Sequence, residues 1–157
     1  MEYLVLKWLH IISATLLFGT GLGSAYYKFQ TDRSGSTRAI AITNRNVVIA
    51  DWIFTTPTII LQPLTGLGLI YVSGYSFSEP WVWISIVLFC IAGLCWLPVV
   101  YLQIVMRNLS EESLHGNNVL PEKYWHLARC WFWLGVPAFI SIVAVFGLMV
   151  LKPYGSD

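Results

Sequence analysis

The sequence predicts an all-α protein, a four-helix transmembrane bundle with a kinked second helix. Four stretches of at least 20 residues, 8–27, 52–78, 80–106 and 130–151, contain no Asp, Glu, Lys or Arg. A helix needs about 20 apolar residues to cross the hydrocarbon core of a bilayer. Charged residues make up 11% of the chain, whereas a soluble domain carries about 25%. We therefore expect a single integral membrane domain over residues 1–157.

The expected spans lie at about 3–27, 47–72, 81–106 and 128–151. The first could instead be a cleaved signal peptide, because Gly23-Ser24-Ala25 would serve as a cleavage site. However, its start is not basic, and its apolar run exceeds the ~7–15 residues of a signal peptide. We expect the first span to be a retained helix.

The basic residues predict the orientation in the membrane. Seven of them lie in the connections between spans one and two and between spans three and four: Lys28, Arg33, Arg38, Arg45, Arg107, Lys123 and Arg129. Basic connections stay cytoplasmic. Both termini are therefore expected on the outer, periplasmic side of a bacterial inner membrane. Because the basic residues follow this bias, they do not indicate nucleic-acid binding.

Span two is expected to be irregular. Pro57 and Pro63 each remove a backbone donor and clash with the preceding turn, which kinks or opens a helix. One interpretation is a packing helix whose polar side chains satisfy the freed carbonyls. The other is a cavity wall for a quinone, a porphyrin or an ion, formed by Asp51, Thr55, Gln62 and Thr65. As a structural alternative for Asp51 we expect an ion pair with Arg45 or Arg129.

His10 and Lys7 form the other candidate site. Ionisable groups inside a span are energetically costly and indicate function. His10 lies about 10 Å along the helix from Tyr3, and Lys7 is one turn outward on the same face. Neutral imidazole is a common iron ligand, and a lysine could hold a propionate, so the pair predicts a haem b site. The alternative is a histidine hydrogen-bonded to a facing helix, with Lys7 reaching for lipid headgroups.

The first nine residues after Tyr3, Leu4-Val5-Leu6-Lys7-Trp8-Leu9-His10-Ile11-Ile12, resemble a known opening. They are similar to the start of the four-helix protoporphyrinogen IX oxidases of the HemJ type, where a Lys-x-x-His-Ile-Ile pattern opens the first span. The resemblance implies haem binding by His10. Those enzymes also carry a functional lysine in the third span, and residues 80–106 contain none.

A second resemblance runs nearly end to end. It rests on the blocks 16–25, 50–57, 61–66 and 95–100, the last followed by Gln103. Together they resemble an uncharacterised family of predicted bacterial four-helix integral membrane proteins, distantly similar to the HemJ and CopD types. This resemblance implies the fold and brings no assigned activity.

If haem binds at His10, its second axial ligand stays open. The other two histidines lie on the far side of a ~30 Å core: they are His115 and His126. The remaining choices are a vacant sixth position, Cys90, or His10 of a second protomer. Gly19 and Gly23 form a small-residue face that could bring two first spans together as a homodimer.

Three functions remain open on the sequence alone. The first is a haem b protein that passes electrons to a quinone or a redox partner protein. The second is a transporter of a metal or small solute through the broken second span. The third is a non-catalytic accessory or assembly subunit. The chain contains no phosphate-binding loop, serine triad or paired carboxylates, and its three cysteines are too scattered for a metal motif.

Overall fold

The computed structural model describes residues 1–152, which form long helices joined by short connections. The helices are α1 (Glu2–Arg33), α2 (Thr37–Ala50), α3 (Thr56–Ser73), α4 (Pro80–His115) and α5 (Glu122–Leu151), and a π-helical stretch over Asp51–Thr55 joins α2 to α3. This confirms the all-α, four-span prediction. The segment from α2 through α3 is the second of four helices long and apolar enough to cross a membrane.

The two ends of the bundle differ in what they carry. One end, called the basic end below, holds the connections 34–36 and 116–121. The other, called the termini end, holds the start of the chain, the connection 74–79 and Lys152. At the termini end, Lys152 Nζ donates to Tyr75 OH at 2.7 Å, which joins the end of α5 to the α3–α4 connection.

The helices continue past the predicted spans at the basic end. The 36 residues of α4 extend about 54 Å at 1.5 Å per residue, well beyond a core of about 30 Å. Ser36 caps the start of α2, because its Oγ accepts a hydrogen bond from the Ala39 amide at 3.4 Å. Pro121 precedes α5, and proline is favoured at the start of a helix because its missing N–H would have no partner there. The charge-free stretches are therefore the apolar parts of longer helices.

The helices pack as two pairs. Helix α1 packs mainly against α3, and α4 packs mainly against α5, while α1 and α5 meet only sparsely. Glycines allow the close approach of α1 and α3. A Cβ added at Gly66 would lie 3.3 Å from His10 Cε1, and one at Gly68 would lie 3.2 Å from Leu6 Cδ1. The packing of α2 against α4 then connects the two pairs near the basic end.

The irregularity expected in span two is the π-helical stretch. It precedes Pro57, which has no N–H to donate to the Ile53 carbonyl and whose ring would crowd that oxygen. A wider turn opens the backbone at this point, as π-bulges do in other helices. The Asp51 carbonyl accepts from the Thr56 backbone N–H, five residues ahead, and also from Thr56 Oγ1 at 3.0 Å, so this carbonyl stays paired in the wide turn.

A buried lysine joins the helices at the basic end. Lys28 is 0% exposed, and its Nζ donates to Asp32 Oδ2 at 2.8 Å and to Tyr124 OH at 3.0 Å. Tyr124 OH donates to Asp32 Oδ1 at 2.6 Å and accepts from Asn44 Nδ2 at 3.1 Å. Asn44 Nδ2 also donates to Ser110 Oγ at 3.1 Å. These five side chains, the Lys28 network, come from α1, α2, α4 and α5.

Within the Lys28 network, the Tyr124 hydroxyl makes every hydrogen bond that a phenol can make. A phenol oxygen donates one hydrogen bond and accepts up to two, and Tyr124 does both. The Lys28 ammonium also lies 5.3 Å from the centroid of the Trp131 ring, within the range of a cation–π contact. Removing one partner from a buried ion pair costs about 3–5 kcal/mol. The network therefore holds the four long helices in one alignment.

Tyr124→Phe is expected to lower the free energy of unfolding by about 1–3 kcal/mol, because it leaves buried donors and an acceptor without a partner. Thermal or denaturant unfolding in mild detergent measures the change. Tyr101→Phe is the matched control, since Tyr101 lies on α4 with 68% of its surface exposed. Equal stability of the two variants would contradict the role assigned to the network.

Candidate functional site

A cavity of about 330 Å³ lies between the four long helices, and we call it the central cavity. Its size falls at the lower end of the ~300–1,000 Å³ typical of ligand pockets. The wall is mostly apolar and rich in aromatic rings: Phe18, Phe89, Trp96, Trp131, Phe132 and Phe139. Such rings favour stacked or edge-to-face contact with another ring. The cavity is therefore suited to a flat, lipophilic molecule.

Two acceptor oxygens in the cavity wall have no hydrogen-bond partner. They are Asp51 Oδ2 and Gln103 Oε1, and both side chains are 6% exposed. Thr55 Oγ1 donates to the other carboxylate oxygen, Asp51 Oδ1, at 2.9 Å. A buried polar group left unpaired costs about 1–3 kcal/mol. Two such groups side by side in one cavity indicate a place for a hydrogen-bond donor.

Two indole donors in the same wall are also unpartnered. The Nε1 atoms of Trp96 and Trp131 are buried without an acceptor, although buried indoles usually find one. Trp131 belongs to the same packed cluster as Val99 and Met106, and its ring centroid lies 5.3 Å from Lys28 Nζ, so it is on the basic side of the cavity with Gln103. Trp96 precedes Gln103 by seven residues of α4, about 10 Å nearer the termini end. The cavity thus has two acceptors and a donor toward its basic side, and a second donor farther along.

The seam between α1 and α5 brings the cavity next to lipid. Phe18 stacks on Phe139 with ring centroids 5.4 Å apart, and Phe29 meets Phe132 at 5.8 Å. Between these ring pairs Leu22 lines the cavity and is 47% exposed. Few other contacts join the two helices. A lipophilic molecule in the bilayer therefore has a short lateral route into the cavity.

His10 lies outside the central cavity, at the contact of α1 with α3. Its Nδ1 lies 2.8 Å from Thr65 Oγ1. Because Thr65 Oγ1 itself donates to the Leu61 carbonyl at 2.7 Å, Nδ1 carries the proton and donates to Thr65. Gln62 Nε2 donates to the His10 carbonyl at 3.2 Å. The histidine is thus anchored to the facing helix, as one of the two interpretations predicted.

The four predicted cavity-wall residues divide between two places. Asp51 and Thr55 line the central cavity, whereas Gln62 and Thr65 bind to α1 at His10. Asp51 and Thr55 are the first and last residues of the π-helical stretch, and Gln62 and Thr65 follow it in α3. Sequence spacing alone does not predict this division, because the wide turn shifts the faces of the helix that follow.

The expected ion pair between Asp51 and Arg45 or Arg129 is wrong. Within residues 1–152 the only ion pair is that of Lys28 with Asp32. Arg45 and Arg129 are exposed, while Asp51 faces the central cavity. The outward direction of both arginines keeps them from the buried carboxylate.

The other predicted site residues lie at the surface. Lys7 is exposed, with its Nζ 5.6 Å from the Tyr3 ring centroid. Cys90 is exposed, and His115 and His126 are exposed toward the basic end. A Cβ added at either glycine of the predicted dimer face would meet nothing within 4 Å: they are Gly19 and Gly23. No cluster of three or more His, Cys, Asp or Glu side chains suited to a metal ion occurs in the described part of the chain.

Trp96 and Trp131 are the functional candidates that the sequence analysis missed. Tryptophans near spans are ordinarily read as interface anchors. Trp96 offered a signal against that reading, because it lies in the middle of the charge-free stretch 80–106 rather than at its edge. Trp131 offered none, since it stands at the start of its stretch.

A family model described as "Predicted integral membrane protein (DUF2269)" matches residues 4–153. The chain belongs to this family. The DUF2269 match includes all four spans, the Lys28 network and every residue that lines the central cavity. Comparison with curated proteins and with solved structures finds no match.

Proposed function

We propose that this DUF2269 protein binds a flat, lipophilic redox carrier in its central cavity and takes part in electron transfer within the membrane. The observation that supports the proposal is the set of four unpartnered polar atoms in a wall that is otherwise apolar and aromatic. Buried polar groups in proteins are nearly always hydrogen-bonded, so each exception needs an explanation. A ligand with polar groups on an apolar ring supplies the missing partners.

The closed basic end favours binding over passage of a solute. Beside the cavity, the Lys28 network is surrounded by a packed apolar cluster that includes Ile40, Met106 and Tyr124, all 0% exposed. A hydrophilic solute crossing the bundle would need a polar path through this cluster. A lipophile entering at the α1–α5 seam needs none. An accessory subunit, the other alternative, would not require a cavity with unpaired polar groups.

In this proposal the basic residues determine how the protein is oriented in the membrane. With the basic end in the cytoplasm, Asp51 and Gln103 lie on the cytoplasmic side of the cavity. The membrane is then the bacterial inner membrane, where lipid-soluble electron carriers diffuse in the bilayer.

Decylbenzoquinone is expected to bind the protein saturably in lipid nanodiscs and to quench its tryptophan fluorescence, because two tryptophans line the cavity. Gly93→Leu should abolish the saturable quenching. Gly93 lines the cavity, and a Cβ there meets nothing within 4 Å, so the leucine fills the ligand space without a clash.

Gly147→Leu is the matched control for this titration. Gly147 lies on α5 away from the cavity lining, and an added Cβ there also meets nothing within 4 Å. Both substitutions replace a helical glycine by a good helix former. Quenching that is unsaturable, or that survives Gly93→Leu unchanged, would contradict binding in the cavity.

A second candidate is haem b bound at His10. In metal sites a ligating histidine usually donates its other ring N–H to a nearby acceptor, and Thr65 accepts from Nδ1 here. Nε2 would then be the iron ligand, and the exposed Lys7 one turn outward would hold a propionate. Bound haem would supply one-electron chemistry. The chain's own contribution is to orient the imidazole through Thr65 and to fix its tautomer.

If haem binds, the purified protein shows a reduced-minus-oxidised haem b spectrum that His10→Ala removes and Thr65→Val weakens. His126→Ala is the control, since that histidine is exposed near the basic end. A protein that stays colourless after supplementation with haem, or a spectrum unchanged in His10→Ala, would rule out this candidate and leave the cavity proposal standing.

A further inference from the structure

We propose that the central cavity selects the reduced, hydroquinone form of a lipophilic quinone over the oxidised form. This inference rests on the proposed function, because it assumes that a flat lipophile enters the cavity. It goes further by assigning the chemical state that the polar groups of the wall recognise.

The basic side of the cavity presents acceptors to a ligand. Asp51 Oδ2 and Gln103 Oε1 are both without partners, and the Thr55 hydroxyl proton is already used on Asp51 Oδ1. The amide N–H of Gln103 is directed to the Asp51 carboxylate, so what remains for a ligand at this side is the pair of unpartnered oxygens, to which a quinone carbonyl has no hydrogen to donate. A hydroquinone hydroxyl donates one hydrogen bond and accepts up to two. It can therefore donate to one of the two oxygens.

The indole on the same side of the cavity complements that hydroxyl. Trp131 Nε1 is an unpartnered donor, and Trp131 lies on the basic side of the cavity, in one packed cluster with Val99 and Met106. One hydroxyl can thus donate to an acceptor oxygen and accept from the indole. A quinone carbonyl could accept from Trp131 but would leave both acceptor oxygens unpaired.

The side of the cavity nearer the termini end can bind an oxygen on the opposite edge of the ligand's ring. Trp96 Nε1, the second unpartnered donor, lies about 10 Å along α4 from Gln103. An oxygen on the far edge of the ligand can accept from it. The wall also contains Phe18 and Phe139, stacked with ring centroids 5.4 Å apart, and these rings offer a face or an edge to an aromatic ligand. A long-chain alcohol has one hydroxyl and no ring, so it would satisfy only one end.

Preferential binding of the reduced form has a redox consequence. A ligand shifts an equilibrium by its difference in affinity for the two states. The cavity therefore makes a bound quinone easier to reduce than the same quinone free in the bilayer.

The test compares decylhydroquinone with decylbenzoquinone by calorimetry on the protein in nanodiscs under anaerobic conditions. The wild-type chain is expected to bind the hydroquinone at least about tenfold more tightly, as the pairing of a buried polar group implies. Asp51→Asn keeps the shape but offers an amide donor, so the preference should fall or reverse. Gln103→Leu should weaken hydroquinone binding and leave quinone binding unchanged.

Gln30→Leu is the control for these variants, because Gln30 is an exposed glutamine on α1 away from the cavity lining. Equal affinities for the two forms, unchanged in Asp51→Asn, would overturn the selection while leaving the proposed function intact. Absence of binding by both forms would overturn the proposed function as well. Competition by decanol as strong as that of decylhydroquinone would overturn the assignment to a ring.

Discussion

The bundle depends on the hydrogen bonds that a buried lysine must make. In a lipid environment each unsatisfied polar group is energetically costly, and the Lys28 ammonium is 0% exposed. It donates hydrogen bonds to the Asp32 carboxylate on its own helix and to the Tyr124 hydroxyl on α5, and that hydroxyl accepts from the Asn44 amide on α2. These bonds set the alignment of the helices at the basic end. Since α1 and α5 meet only sparsely elsewhere, the middle of the bundle is free to hold a cavity.

The contrast between satisfied and unsatisfied polar groups separates structure from function in this chain. At the α1–α3 contact, Thr65 accepts from the His10 ring and Gln62 donates to the His10 carbonyl. These polar groups are therefore paired within the protein. In the central cavity Asp51 and Gln103 each retain an unpaired oxygen. Natural proteins often sacrifice stability at sites that bind ligands. On that argument the cavity is the stronger functional site, and His10 is ready for a ligand at one nitrogen only.

The four spans could be predicted from the sequence because the absence of charge over 20 or more residues has one physical explanation, a lipid solvent. Lys28 was read only as part of the orientation signal, since it stands just beyond a charge-free stretch, and its partner Tyr124 was not singled out. Their contact joins residues 96 apart in sequence, and no local pattern encodes it. Of the residues expected to form a cavity wall, Asp51 and Thr55 line the central cavity, whereas Gln62 contacts α1, because the π-helical stretch changes the face on which the following residues lie. Long-range packing and one irregular turn account for what the sequence could not predict.

An experimental structure of the protein purified with its native lipids would show directly whether the central cavity holds a ligand. We expect non-protein density in the central cavity, in contact with Asp51 Oδ2 and Gln103 Oε1 and flanked by the aromatic wall. A cavity closed by repacked side chains, with Asp51 Oδ2 and Gln103 Oε1 both hydrogen-bonded to other protein groups, would contradict the binding of a ligand there. So would a cavity that contains ordered water alone, because water would then be the partner for which these groups are retained.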